Sequence, residues 1–432
     1  MMIGNSLEDM QEFIEENDVK FLRMQFCDIN GVSRNVAVSD KQVADAARDG
    51  VLIDGNAVAG FDGRDRSDLV LRPFFETATI LPWRPQRGKV ASVICGVFYP
   101  DGRPCEADSR QVLGRQITRA EDLGYTMNVG AECEFYLFKQ DDAGRPTTDP
   151  VDDADYCALA PGDRGENTRR DIILTLEDMG FVVESSHHET GRGHHEIDFR
   201  YTEALKAADQ LMILRNVVRN IAQRNGQHAT FMPKPLNGEP GSGMHVNLSL
   251  MRGLDNLFIE RDGDISEEAR HFAAGILAHM PGITALANPT VNSYKRLATG
   301  MEAPSRINWG KSAREALIRI PADAEHRCRM EVRSPDPTCN PYLTYAVMLA
   351  AGLDGLERRL PLPPETVGDA EIGVFLPMSL NDALGAMAAD PLIAEVLGAE
   401  LAEKFQAIKR AEWQAYMTTV HDWEQARYFT GY

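Results

Sequence analysis

The chain has 432 residues, 43% of them hydrophobic and 25% charged, with 45 Lys and Arg against 65 Asp and Glu and a net charge of −20. This composition excludes a disordered, collagenous or coiled-coil chain. The acidic balance disfavours a nucleic-acid binder or a partner of anionic membranes, both of which need basic surface.

Residues 6–17 read as a helix with Ser6 as N-cap and acid in the first turn at Glu8 and Asp9. VKFLRMQFCDINGVSRNVAV alternates apolar and polar residues around Asn30-Gly31, a hairpin signal. KQVADAARDG reads as a short helix ending at Gly50. LVLRPFFETATILPWRP and KVASVICGVFYPDG read as two further strands. Residues 1–103 are thus expected to form a small strand-rich domain, and the change of composition at PDGRPCEAD opens a larger one over 104–432. There the patterns predict helix at 109–123, strand at 125–138 and a polar loop at 141–155. Helices are expected at 163–179 and 203–225, and strands at 181–187, 194–201, 227–233 and 243–251. Further helices are expected at 265–287, 338–358 and 379–390 and across 392–423, while 294–306 reads as a mobile loop. The fold class is α+β with an antiparallel-leaning sheet, not a regular βαβ series.

Seven scattered cysteines without a Cys-x-x-Cys pair argue against a disulfide framework. No apolar run reaches the ~20 residues of a membrane span. The acidic start lacks the basic and apolar regions of a secretory signal. The expected setting is a reducing cytoplasm.

Glu132 and Glu134 sit two apart in a strand pattern, so both carboxylates share one face. A wet outer face would explain them, but apolar and aromatic residues flank the pair, and like charges on a buried face require a cation. SSHHETGRGHHEIDFRY holds four histidines with Glu189 and Glu196, and its Gly-rich turn brings the two glutamates back towards each other. The plain alternative is a surface loop with incidental histidines. Imidazole and carboxylate are common ligand types, and the absence of Cys argues against structural zinc. EPGSGMHVNLSL is a Gly-rich loop entering a strand at His245. It lacks a Walker-type ending yet can present backbone N–H groups to an anion. The segment 306–337 is dense in arginine: Arg314, Arg319, Arg327, Arg329 and Arg333 accompany Glu331. Such guanidinium groups suit phosphate or carboxylate, although a surface ion-pair lattice is the simpler reading. Carboxylate-rich ligation suits Mg²⁺ or Mn²⁺, and with arginines and a Gly-rich loop it is the equipment of phosphoryl transfer.

The strings GAECEFYLF, SHHETGRGHHEIDF, ATFMPKPLNGEPGSGMH, NPTVNSYKRL and EVRSPDPTCNPYL, in this order and spacing, resemble the type I glutamine synthetase family of bacteria and archaea over nearly the whole length. The resemblance implies a β-grasp-like domain at 1–103 and a catalytic domain at 104–432. It implies a homo-oligomer, a dodecamer of two hexameric rings in which one subunit's N-terminal domain completes its neighbour's site. The implied reaction joins L-glutamate to ammonia at the expense of ATP, through γ-glutamyl phosphate, with two or three Mg²⁺ or Mn²⁺. Glu134, Glu189 and Glu196 match the ligands of one metal ion, and Glu132, His245 and Glu331 those of a second. Glu184, His187, Tyr201 and Ser249 fall at ATP contacts. Arg314, Arg319 and Arg329 fall at the phosphate and nucleotide arginines. Gly241, Arg296 and Arg333 match glutamate-binding positions, and Glu302 the flap glutamate that closes over the site. Asp54 and Tyr156 match the ammonium pocket, with Asp54 taking a proton from ammonium.

Four segments depart from the family pattern: Asp54-Gly55-Asn56-Ala57 where Asp-Gly-Ser-Ser is usual, Pro240 for Asn, Asn247 for a second His, and Met301 for an aromatic. The implied metal ligands remain while the amine and glutamate pockets change. This leaves an alkylamine, an ethanolamine or a polyamine as an alternative to ammonia. A non-catalytic scaffold or regulatory relative is disfavoured by the retained ligands. GLERRLPLPPE carries no Tyr, so no adenylylation is expected, and Gly63 stands where feedback-inhibited relatives are expected to carry Arg.

Overall fold

The computed structural model describes residues 4, 6–61, 67–259, 265–311, 313–321, 329–367 and 372–431; Gly63, Arg327 and Cys328 lie outside them. The first helix, Leu7–Glu16, starts at Ser6, whose hydroxyl accepts the Asp9 N–H while the Asp9 carboxylate accepts the Ser6 N–H. It buries Met10 and Ile14 against a sheet of five strands. These are β1 (Val19–Cys27), β2 (Ser33–Ser39), β3 (Val51–Asp54), β4 (Asp68–Ile80) and β5 (Lys89–Phe98), in the order β2-β1-β5-β4-β3. β1 and β5 run parallel and the other pairs antiparallel. The β1–β2 turn is held by Asp28, which is buried, accepts the Asn30 and Val32 N–H groups and pairs with Arg34. Gly31 there adopts φ 76° and lies so close to Asn340 that a Cβ would sit 2.9 Å from its Cα. The Asn340 amide in turn donates to the Asp28 carbonyl at 3.2 Å and to Ser109 at 2.8 Å. This hydrogen-bonded contact ties the small domain to the large one.

The large domain is built on an eleven-stranded sheet. Its strands are β6 (Thr126–Gln140), β7 (Pro146–Pro150), β8 (Val183–His188), β9 (His194–Phe199), β10 (Thr202–Glu203), β11 (Gln227–Thr230), β12 (Met244–Arg252), β13 (Asp255–Asn256), β14 (Trp309–Lys311), β15 (Ile318–Ile320) and β16 (Met330–Val332). The main path is β14-β15-β16-β12-β6-β9-β8, antiparallel except between β14 and β15. One face of β6 carries Cys133, Phe135 and Leu137 into the core. The helix Ala204–Arg224 packs beside β6 and buries Leu211, Leu214, Val217 and Val218. The opposite face of β6 carries Glu132, Glu134 and Tyr136.

Three segments differ from expectation. The polar stretch 141–155 contains β7, whose Pro-Thr-Thr-Asp-Pro has no apolar alternation and gains its extended form by pairing with β6. Residues 294–306 begin in a helix, Ser293–Thr299, which ends at Gly300 in a left-handed conformation. The stretch 392–423 is not continuous: Gly398, at φ 79°, separates helix Pro391–Leu397 from Ala399–Thr418, and Asp422–Tyr428 forms a further helix. Among the described residues no helix is long and apolar enough to cross a membrane, and the described cysteines are free thiols.

The helices Glu267–Ala287 and Pro341–Arg358 touch backbone to backbone. A Cβ on Gly275 would lie 2.0 Å from the Ala351 carbonyl oxygen. Gly275→Ala is expected to destabilise the fold by about 1–3 kcal/mol, because neither backbone can yield, and the thermal unfolding midpoint reads this directly. The same helix offers a pH-dependent contact. His279 lies 2.7 Å from Asp390 Oδ2 and 3.1 Å from Asp354 Oδ2. The Asp390 hydrogen bond, with Asp354 adding to it against burial, raises its pKa above the ordinary value. A raised histidine pKa contributes stability that is full below the unfolded value of about 6.5 and is lost as pH rises through the folded value. His279→Gln should therefore lower the melting midpoint more at pH 6 than at pH 9.

Candidate active site

The register of the large sheet assembles the site. Glu132 pairs across β6–β9 with Asp198, and Glu134 with Glu196. On the other side His245 of β12 faces Glu132, and Asn247 faces Glu331 of β16, which faces Arg319 of β15. On β8, His187 faces Glu196 and Ser185 faces Asp198. Side chains two apart share a face, so five carboxylates and two imidazoles form one row across β8, β9, β6, β12 and β16.

The row is largely dry: Glu134 is 8% exposed, Glu196 7%, His245 7% and Glu331 1%. Two groups have ligand atoms within 4.8 Å of one another, Glu132–His245–Glu331 and Glu134–Glu196–His245, and a third joins His187, Glu196 and Asp198. Burial raises the pKa of Glu132, but the hydrogen bond and charge of His245, the Asn247 hydrogen bond and the Arg329 charge together outweigh it and hold the carboxyl down at about 2. Glu134 is likewise held low against burial, by His194 and His245. Glu196 goes the other way: burial, then the Asp198, Glu134 and Glu132 carboxylates, push it well up. Its nearest cation is His187, 4.0 Å away. His245 Nε2 is buried without a hydrogen-bond partner among the described residues and lies 3.8 Å from Glu134 Oε1. A crowded carboxylate set around an orphaned imidazole nitrogen fits a divalent cation with oxygen and nitrogen ligands.

The glycine-rich loop reaches the row because its glycines permit close approach. A Cβ on Gly241 would lie 2.4 Å from the Pro233 carbonyl oxygen, and one on Gly243 2.6 Å from Arg296 Nη2. The Gly243 N–H donates to Glu134 Oε2 at 2.7 Å. Arg296 is 2% exposed and gives its guanidinium to the carbonyls of Ser334 at 2.7 Å, Arg333 at 3.1 Å and Pro335 at 3.3 Å. It fixes the backbone on which Arg333 stands. Arg319 and Arg333 both donate to Glu331, the former at 2.7 Å. The Nε of each is buried without a partner among the described residues. Arg329 Nε donates to the side-chain Oδ1 of Asn247, and the Asn247 Nδ2 donates to Glu132 Oε1, both at 2.8 Å. Asn247 thereby couples a row carboxylate to an arginine.

Glu189 stands 2.5 Å from His187 Nε2, and Tyr156 packs edge-on against the same ring at 5.3 Å. Glu302, at φ 58°, accepts a hydrogen bond from Thr190 at 3.0 Å. Arg314 is exposed and near enough to Tyr156 to act on its phenol. Glu184 and Tyr201 are exposed beside the row, and Ser249 lies on β12 two residues beyond Asn247. Asp54 stands apart on the small domain, where it caps the turn Gly55–Ala57 by accepting the Asn56 N–H at 3.0 Å. Among the described residues no hydrogen bond or ion pair joins it to the row.

Sequence reasoning missed Asp198 of the row and His194 beside it. Asp198 follows Glu196 by two residues, so the strand period signalled it. His194 stacks on Tyr136 at 4.3 Å and lies 3.2 Å from Glu134 Oε2.

Comparison with known proteins places the site in a family. Residues 106–428 match the family described as "Glutamine synthetase, catalytic domain", and residues 18–100 match "Glutamine synthetase, beta-Grasp domain". A glutamine synthetase of Clostridium saccharobutylicum is 47% identical over 98% of this chain and 99% of its own. One of Thermus thermophilus is 45% identical over the full length of both. Among solved structures, one described as "GmaS/ADP complex-Conformation 1" superposes with a TM-score of 0.89 at 32% identity, covering 97% of this chain and 99% of the other. A second, "Apo GmaS without ligand", gives the same score and identity over 99% and 100%. Members of this family are ATP-dependent ligases that use divalent metal ions. With both domains matched and full-length relatives at 45–47% identity, the chain belongs to the glutamine synthetase family and is an ATP-dependent ligase.

Proposed function

We propose that the chain condenses L-glutamate with ammonia, giving glutamine, ADP and phosphate through γ-glutamyl phosphate. The observation that carries this reading is the continuous row Glu331–His245–Glu132–Glu134–Glu196 with arginines at one end. Glu132, His245 and Glu331 would hold one Mg²⁺ or Mn²⁺, and Glu134 and Glu196 with Glu189 a second; a third ion remains open. Such ions supply charge neutralisation at the transferring phosphoryl group. The chain's own residues do the rest. Arg319 and Arg333, whose Nε donors have no partner among the described residues, would meet anionic ligands, and Arg329 and Arg314 extend the positive edge. Glu184, His187, Tyr201 and Ser249 border the nucleotide, a reading supported by the ADP in the similar solved structure. Arg333 and Gly241 bind glutamate, with Arg296 positioning both. Glu302 closes the flap and keeps water from the acyl phosphate.

Ammonium must lose a proton before it attacks the acyl carbon, so a carboxylate base is required. Asp54 is exposed and far along the chain from the row, consistent with its serving the site of the next subunit, beside Tyr156, in a dodecameric ring. A primary amine is the second reading, favoured by Ala57, which offers no hydroxyl to the ammonium pocket. Hydroxylamine separates the chemistry from the choice of amine. With ATP, L-glutamate and Mg²⁺, it should trap the acyl phosphate as γ-glutamylhydroxamate with one phosphate released per product. Absence of both hydroxamate and phosphate would refute the ligase reading.

A further inference from the structure

The turn Thr190-Gly191-Arg192-Gly193 joins β8 to β9, between Glu189 and the strand that carries Glu196. Its glycines serve the fold. A Cβ on Gly191 would meet the Tyr136 hydroxyl at 2.4 Å, and Gly193 adopts φ 65°. Thr190 and Arg192 are the two side chains free to reach outward, and they reach different loops. The Thr190 N–H donates to Glu189 Oε2 at 3.3 Å, and its hydroxyl donates to Glu302 Oε1 at 3.0 Å. Arg192 Nε donates to Glu239 Oε1 at 2.7 Å, and its backbone N–H to Glu239 Oε2 at 3.4 Å. Glu239 opens the glycine-rich loop, whose next residue, Pro240, accepts the Tyr136 hydroxyl at 2.6 Å.

Glu302 needs restraint. It follows Gly300, which is left-handed, and is itself left-handed at φ 58°, a conformation unfavourable for a residue with a Cβ. Besides the Thr190 hydroxyl on its carboxylate, Glu302 has one anchor among the described residues, Arg333 Nη2, 3.4 Å from its carbonyl oxygen.

We propose that this turn is a clasp: Thr190 fastens the flap through Glu302, Arg192 fastens the glutamate loop through Glu239, and both close on the carboxylate row as one unit. Thr190 and Arg192 are positioning residues, acting through Glu302 and the 239–243 loop. The inference rests on the reading of Glu302 as the flap residue that shields the acyl phosphate.

The test is amide hydrogen exchange over 299–304 in the intact assembly, paired with the ratio of phosphate released to γ-glutamyl product formed. Thr190→Val should speed exchange there about fivefold, the scale of one net hydrogen bond, and raise the phosphate-to-product ratio; Thr190→Ser should restore both. Arg192→Gln should speed exchange over 238–243. Unchanged exchange over 299–304 in folded Thr190→Val overturns the clasp, whatever the activity. A parent enzyme that releases no phosphate with glutamate and any amine would instead refute the functional reading, and exchange alone would then decide the clasp.

Discussion

Glu196→Gln is expected to abolish turnover and yet make the metal-free protein more resistant to heat. Glu196 is 7% exposed, faces Glu134 across the strands and has no cation nearer than His187 at 4.0 Å among the described residues. Burial and the surrounding carboxylates push its pKa well up, which means the fold disfavours its charge. An acid whose folded pKa is raised loses stability as pH climbs from the unfolded value near 4.3 towards the folded one, so the amide's advantage should be small at pH 4 and larger at pH 8. In catalysis the same charge is indispensable, because the amide is a poor ligand for a divalent cation. Activity should fall by at least about a hundredfold, the loss seen when one electrostatic contributor to a transition state is removed. Melting curves in chelator, then with Mg²⁺ or Mn²⁺, check both halves. The variant should melt higher without metal and gain less from metal than the parent. A lower metal-free midpoint would show that Glu196 is a structural ion-pair partner instead.

Glu331→Gln should cost activity to a similar degree but move stability the other way. Glu331 is 1% exposed and lies between two guanidinium groups, with Arg319 Nη1 at 2.7 Å and Arg333 Nη1 on its other oxygen. Neutralising it leaves two cations facing each other in a largely dry site. Breaking a buried pair in this way costs about 3–5 kcal/mol, reduced here to the extent that Arg319 reaches solvent. The two carboxylates are both in the row and are close in chemistry, yet their partners differ. Opposite signs of the stability change, with shared loss of activity, therefore identify the row as an ion-binding device anchored at one end by arginines. Two destabilised variants would mean that the row is held by ion pairs throughout.

Much of this arrangement was legible in the sequence, because strand alternation is a strict rule. Two glutamates two apart had to share a face, and the Gly-rich turn after Glu189 had to fold the next strand back beside them. What periodicity could not give was register. That Glu134 meets Glu196, and not Asp198, follows from pairing across β6 and β9, which no single-strand pattern encodes. The same limit hid β7, which has no apolar face of its own, and β3, which has only four residues. The helix at 293–299 is short and rich in polar residues, yet Ser293, Tyr294, Arg296 and Leu297 are buried at helical spacing. Arg296 is the instructive case. The family resemblance sets it at a glutamate-binding position, and in the fold its guanidinium donates to three backbone carbonyls, contacts visible only once the chain is folded.

The central claim is that this site activates glutamate for attack by ammonia. The most direct measurement is product mass and phosphate release with ATP, Mg²⁺ and L-glutamate, comparing ammonium with methylamine, ethanolamine and putrescine at matched concentrations of free base. The account predicts glutamine as the product formed with the highest catalytic efficiency. A single amine turning over well above ammonium would contradict it and assign the pocket around Ala57 to that amine.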